Sequence, residues 1–259
     1  MHIFHHISDE LEKVNKLIYK NFFIRTGNIN DYVKQDFNYL YINLRPALVL
    51  ICHRLFSPVN QQAVALAAVL QFIFMASQVH VKLSENNPGQ EEPIDIRTGY
   101  QFPVLVGDYL YGKFFTTLCD AGIVHYLKNM AELICTINKN GILILKNPDL
   151  AISNPTAYLE AIRGECAELL ACGAYLGADL AGADSGSKDK LYHFGLNLGM
   201  ALGLLSRGAP ARQVNHYAAT AESILQHLPP GKDKESLRDL LGLLTTENTE
   251  AERMVRMVV

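Results

Sequence analysis

Apolar positions recur at helical spacing along most of this chain, and alternating strand patterns are scarce. Residues 8–24 place Leu11, Val14, Ile18 and Phe22 on one face, with Ser8 or Asp9 positioned to cap the helix. Gly27-Asn28-Ile29-Asn30 breaks that pattern, and a second helix is predicted over 31–42. Arg45 precedes Pro46, so a boundary is expected there, with a new helix after the proline. Residues 58–83 read as a long apolar helix and 84–93 as a polar loop containing glycine and proline. Helices follow over 103–119 and 121–138. Asn140-Gly141 reads as a turn, and Gly141-Ile142-Leu143-Ile144-Leu145 as a candidate short extended piece. Asn154-Pro155 opens the next helix, with proline in its first turn.

The stretch 157–183 is rich in Ala, Gly and Leu. Gly164, Gly173, Gly177 and Gly182 each cost about 1 kcal/mol of helix stability, which helices accept where backbones approach closely. A loop over 184–189 leads to a buried helix over 190–206, and 212–228 with 233–244 form a terminal pair around Pro229-Pro230-Gly231. The tail from residue 245 is charged, then apolar, and is expected to be poorly ordered. With no internal repeat and no linker, the chain reads as all-α, a single domain over 1–259.

Residues 58–81 contain no Asp, Glu, Lys or Arg and are nearly long enough to cross a bilayer. Gln61, Gln62, Gln71, Ser77, Gln78 and His80 interrupt the run, so it is read as a buried core helix, with no transmembrane segment. The net charge of −3 and the lack of a basic stripe argue against a nucleic-acid partner. The five cysteines are odd in number and form no CxxC pair, which suits reduced thiols and a cytoplasmic location. Asp9 and Glu10 near the start leave no signal-peptide pattern. His2, His5 and His6 are a weak metal candidate, and Cys166 and Cys172 are not spaced for zinc.

Two stretches carry a resemblance: Gly107-Asp108-Tyr109-Leu110, and the run from Tyr158 through Gly195-Leu196-Asn197-Leu198-Gly199-Met200-Ala201, which includes Tyr158-Leu159-Glu160-Ala161-Ile162. They resemble the trans-prenyl (polyprenyl) diphosphate synthases over roughly residues 36–210. The resemblance implies an isoprenoid-synthase-type helical bundle. It also implies a family that joins isopentenyl diphosphate to an allylic diphosphate, with magnesium held by two aspartate-rich motifs.

Measured against that family, the chain departs at each chemical motif. Of the element that binds isopentenyl diphosphate, only Arg45-Pro46 remains; Arg45 offers a fork that fits phosphate oxygens. After Ser77-Gln78-Val79-His80, the first aspartate-rich motif is replaced by Val81-Lys82-Leu83-Ser84-Glu85. Magnesium requires hard oxygen ligands; Val81 cannot ligate, Lys82 repels a cation, and Glu85 alone is a weak ligand. His80 is read as a packed core histidine. The family's paired arginines become Arg97-Thr98-Gly99. Asp108 reads as a helix N-cap or ion-pair partner. The family's Lys-Thr pair becomes Glu165-Cys166, which sets a carboxylate against diphosphate. At the second aspartate-rich motif stand Ser206, Arg207 and Pro210, the proline expected to end the helix early.

The resemblance therefore implies no catalytic residues in this chain and no cofactor held by it alone, magnesium belonging to a catalytic partner. Arg45, Arg97, Lys82 and Arg207 remain as candidate diphosphate contacts, and Lys82 with Arg207 could hold a diphosphate without metal. The expected role is a non-catalytic or regulatory subunit of a heteromeric polyprenyl diphosphate synthase, acting in isoprenoid (quinone side-chain) biosynthesis. It would be paired with a competent synthase subunit, or form a homodimer. An atypical active prenyltransferase and a binding protein for isoprenoid diphosphates are the alternatives. The paired CxxxC of plant-type small subunits is absent.

Overall fold

The computed structural model describes residues 4–24, 27–28, 39–82 and 96–245, and over these the chain is all-α with one small hairpin. A 3-10 turn, His5–Ile7, leads into α1 (Ser8–Lys20), which buries Leu11, Val14 and Ile18 as its spacing predicts. Neither Ser8 nor Asp9 caps it: Ile7 holds the cap position, with no side-chain hydrogen bond. The helix stops at Lys20, short of the predicted residue 24, because β1 (Phe23–Ile24) pairs antiparallel with β2 (Gly27–Asn28). Most of the helix predicted over 31–42 lies outside the described residues.

The expected boundary at Arg45-Pro46 does not occur. α2 (Tyr39–Arg54) runs through Pro46, which removes one backbone donor from its middle. Tertiary packing outweighs that loss, because residues 42–53 are buried throughout. The apolar run forms α3 (Gln61–Lys82). Among the described residues it is the one helix long and apolar enough to cross a membrane, and 83% of that window is buried inside the protein. It is the central core helix, carrying Leu66, Leu70, Phe72 and Ile73 at 0–1% exposure.

α4 (Ile96–Asp120) packs on α3, and a 3-10 turn, Val124–Tyr126, leads to α5 (Leu127–Lys146). The turn and extended piece predicted over 140–145 are helical instead. The Asn140 side chain donates to the Thr136 carbonyl four residues back, and Gly141 is buried. Asp108 lies mid-helix in α4 and is exposed, so it is not an N-cap. After the single turn α6 (Leu150–Ser153), Asn154 caps α7 (Pro155–Ile162) through the Ala157 N–H, with Pro155 in the first turn as predicted.

α7 continues through a π-helical segment, Arg163–Ala167, into α8 (Glu168–Leu180). α9 (Ser185–Ser206) begins earlier than the sequence suggests, because Asp184 accepts from the Ser187 N–H and opens the helix within the expected loop. α9 packs along α8, and α8 along α2. The small residues permit this. A Cβ on Gly177 would sit 2.6 Å from the Val49 carbonyl oxygen of α2, and one on Gly195 2.5 Å from the Leu170 oxygen of α8. α9 ends at Ser206 because Gly208 takes a left-handed φ of 69°, letting the Ala209 N–H bond back to the Leu204 carbonyl. Pro210 is not the terminator; it stands at the cap of α10 (Ala211–Leu225). α11 (Lys232–Thr245) packs against α10 and α2.

Candidate functional site: a pocket closed by an internal ion pair

Several core helices converge on one pocket. α2 supplies Arg45, α3 Phe74 and Gln78, the π segment Glu165 and Cys166, and α9 Leu202 and Gly203. Arg45 is buried at 6% exposure, its guanidinium carbon 3.0 Å from the Phe74 ring centroid, so aromatic stacking offsets part of its desolvation. A Cβ on Gly203 would meet Cys166 Cβ at 3.1 Å, so this glycine lets α9 close against the π segment. That approach brings together two residues far apart in sequence. Arg207 Nη2 donates to Glu165 Oε2 at 2.5 Å, with the two side chains only 17% and 10% exposed. The same guanidinium donates through Nη1 to the Gly203 carbonyl at 3.1 Å and contacts Cys166 Sγ at 3.4 Å.

The three groups that Arg207 touches, Glu165, Cys166 and the Gly203 carbonyl, belong to residues lining the pocket, which holds about 20 Å³, room for about one water molecule. Burial pushes the Glu165 carboxyl above its ordinary value, while Arg207 pulls the other way without cancelling it. Burial likewise raises the Cys166 thiol, so it is not an activated nucleophile.

The sequence-predicted residues fall into two groups. Arg45 and Arg207 come together around Cys166, with Glu165 between the predicted cation and the pocket. Ser206 closes α9 and donates to the Gly203 carbonyl at 2.9 Å. Val81 and Lys82 form the last turn of α3 and Arg97 the first turn of α4, but their side chains, like that of His80, lie outside the described residues, as does Glu85 entirely. The sequence reading treated Glu165 and Arg207 as separate departures. Their opposite signs at two motifs that face one pocket were the available signal that they pair.

Among the described residues, no group of three or more His, Cys, Asp or Glu side chains converges to hold a metal ion. Glu165 is the carboxylate lining this pocket, and it is engaged by a guanidinium. These donors do not fit a magnesium cluster, which needs several oxygen ligands at octahedral positions. His6 does not join a metal cluster either: its ring meets Ser236 Oγ at 2.8 Å and the Asp233 carboxylate at 3.5 Å.

An all-α bundle with helices converging on one pocket is the architecture of the isoprenoid synthases. Residues 35–204 match the polyprenyl synthetase family model, and the chain belongs to that family. It is 27% identical over 168 residues to octaprenyl diphosphate synthase of Escherichia coli, covering 62% of this chain and 51% of that protein. It is also 27% identical over 159 residues to heptaprenyl diphosphate synthase component 2 of Geobacillus stearothermophilus, covering 61% of this chain and 50% of that one. The chain thus spans about half the length of these curated relatives. In fold it is similar to a polyprenyl synthase of Caulobacter crescentus solved with calcium and isoprenyl diphosphate. The TM-score is 0.80 at 21% identity, covering 95% of this chain and 97% of that one. A decaprenyl diphosphate synthase of Rhodobacter capsulatus superposes with TM-score 0.79 at 19% identity, covering 98% of each chain.

Proposed function

We propose that this chain is a non-catalytic, regulatory subunit of a heteromeric polyprenyl diphosphate synthase acting in the cytoplasm, its partner a catalytically competent subunit. The observation that carries the reading is the Glu165–Arg207 pair. Where the family resemblance places a diphosphate-binding lysine and a metal-binding aspartate, this chain has the opposite sign at each, and the two charges satisfy one another. With Arg207 engaged by a carboxylate, and no metal-holding group among the described residues, the pocket does not gather metal ions on a leaving diphosphate, and allylic ionisation then lacks its electrostatic driving force.

Two further observations support a partner. The Geobacillus relative is component 2 of a heptaprenyl diphosphate synthase. In addition, α4 and α5, joined by a hydrogen bond from Asn138 to the Tyr111 hydroxyl, each leave large apolar side chains uncovered. Leu105 is 62% exposed and Phe115 47% on α4, and Ile142 is 53% exposed on α5. Large exposed apolar side chains on two helices joined in this way supply a surface for a partner.

The test is co-assembly. The chain, mixed with a competent long-chain prenyl diphosphate synthase from the same genome, is expected to elute as a mixed complex by size-exclusion chromatography with light scattering. Leu105→Glu with Phe115→Glu is expected to leave it folded by circular dichroism and excluded from the complex. Failure to associate with any competent synthase of that genome would overturn the proposal.

A further inference from the structure

The Glu165–Arg207 contact has the geometry of a ligand held by its own protein. Arg207 is anchored by the Gly203 carbonyl and by its place at the end of α9, which sets its guanidinium against Glu165 and Cys166 of the pocket wall. The fork suits any planar or tetrahedral oxyanion that brings two oxygens. Glu165 reaches it from the π segment, a one-residue insertion in the helical ladder that rotates the following side chains relative to a regular helix. Asn140 Nδ2 would lie 2.0 Å from a Cβ on Gly164, so the neighbouring glycine lets the π segment seat against α5. The pocket that Glu165 lines holds only about 20 Å³, too little for an external oxyanion beside the carboxylate.

We propose that Glu165 is an internal oxyanion that keeps this pocket shut by occupying Arg207, and that removing it unmasks a metal-independent site for a diphosphate group. The ligand class rests on the reading of the chain as a polyprenyl synthase subunit; the clasp itself rests on the geometry. It gives the fold a closed, charge-satisfied pocket that does not compete with a catalytic partner for prenyl diphosphates.

The probe is inorganic pyrophosphate without divalent metal, with binding followed by calorimetry. The wild-type chain is expected to bind only at millimolar concentrations or above. Glu165→Ala, which frees both the fork and the space, is expected to bind at least tenfold more tightly, and the Glu165→Ala, Arg207→Ala double variant to lose that gain. Equal binding by wild type and Glu165→Ala, or by the single and double variants, overturns the clasp.

A second readout does not need ligand. Cys166, in contact with Arg207, is expected to react with a thiol reagent several-fold faster in Glu165→Ala than in wild type, as located by peptide mass mapping. An unchanged Cys166 rate in a folded Glu165→Ala protein also overturns the clasp. Neither result bears on whether the chain assembles with a synthase, so failure of the clasp is separable from failure of the subunit assignment.

Discussion

At the scale of single residues, the structure turns on two polar contacts that the sequence did not disclose as contacts. Glu165 and Arg207 are 42 positions apart, and each looked like an isolated departure until α9 met the π segment. A buried pair of this kind is weak evidence of stability, since desolvation rivals attraction, and burial indeed holds the Glu165 carboxyl above its ordinary value. Breaking one side should nevertheless be costly. Arg207→Met is expected to lower unfolding stability by about 3 kcal/mol, because it strands a buried carboxylate, whereas Glu165→Leu combined with Arg207→Met is expected to be neutral or stabilising. Urea unfolding of the three proteins measures this directly.

The second contact is His6, read from sequence as part of a loose histidine cluster. Its ring is instead packed against Ser236 and Asp233 of α11, with Arg54 nearby, itself held by Asp233 at 2.8 Å and by Glu10 at 3.8 Å. Burial, and then Arg54, keeps His6 below its ordinary value of 6.5 despite the opposing carboxylates of Asp233 and Glu10. A base whose value is depressed in the folded state contributes stability that is fully present above its unfolded value and is lost as the pH falls from there through the lower folded value. The melting temperature is therefore expected to decline as the pH drops below about 6.5, and His6→Asn to flatten that decline. Equal slopes for the two proteins would remove His6 from the account.

At the scale of elements, periodicity located the helices well and their joints poorly. The core helix α3, the buried face of α1 and the Asn154-Pro155 start were legible because each is encoded by local chemistry: apolar spacing, or an oxygen cap with proline behind it. Pro46 and Asn140-Gly141 were misread because their local propensity to break a helix is overridden by burial, a tertiary property. Glycines within helices separate the two regimes. Gly177→Ala would press a methyl onto the Val49 carbonyl at 2.6 Å and is expected to cost about 1–3 kcal/mol. Gly112→Ala on exposed α4 meets nothing within 4 Å and is expected to stabilise by about 0.5–1 kcal/mol. Thermal unfolding of both variants compares a packing glycine with a dispensable one; matching signs would contradict the packing of α8 on α2.

At the scale of the whole molecule, the family was legible from two stretches, which sit where helices pack and so report the scaffold. The site was half legible. That Glu165 and Arg207 stand where they do is a property of the sequence, while the bond between them is a property of the fold. The same packing that places α9 against the π segment fills the pocket with protein, and the exposed apolar side chains of α4 and α5 direct attention to a partner instead. The central claim is that this chain adopts the synthase fold without the chemistry. The most direct test is incorporation of labelled isopentenyl diphosphate into allylic primers by the purified chain with magnesium, alone and with a competent synthase subunit. The account predicts no product from the chain alone, and an altered rate or product length when it is added to the partner. Magnesium-dependent elongation by the chain alone would contradict it.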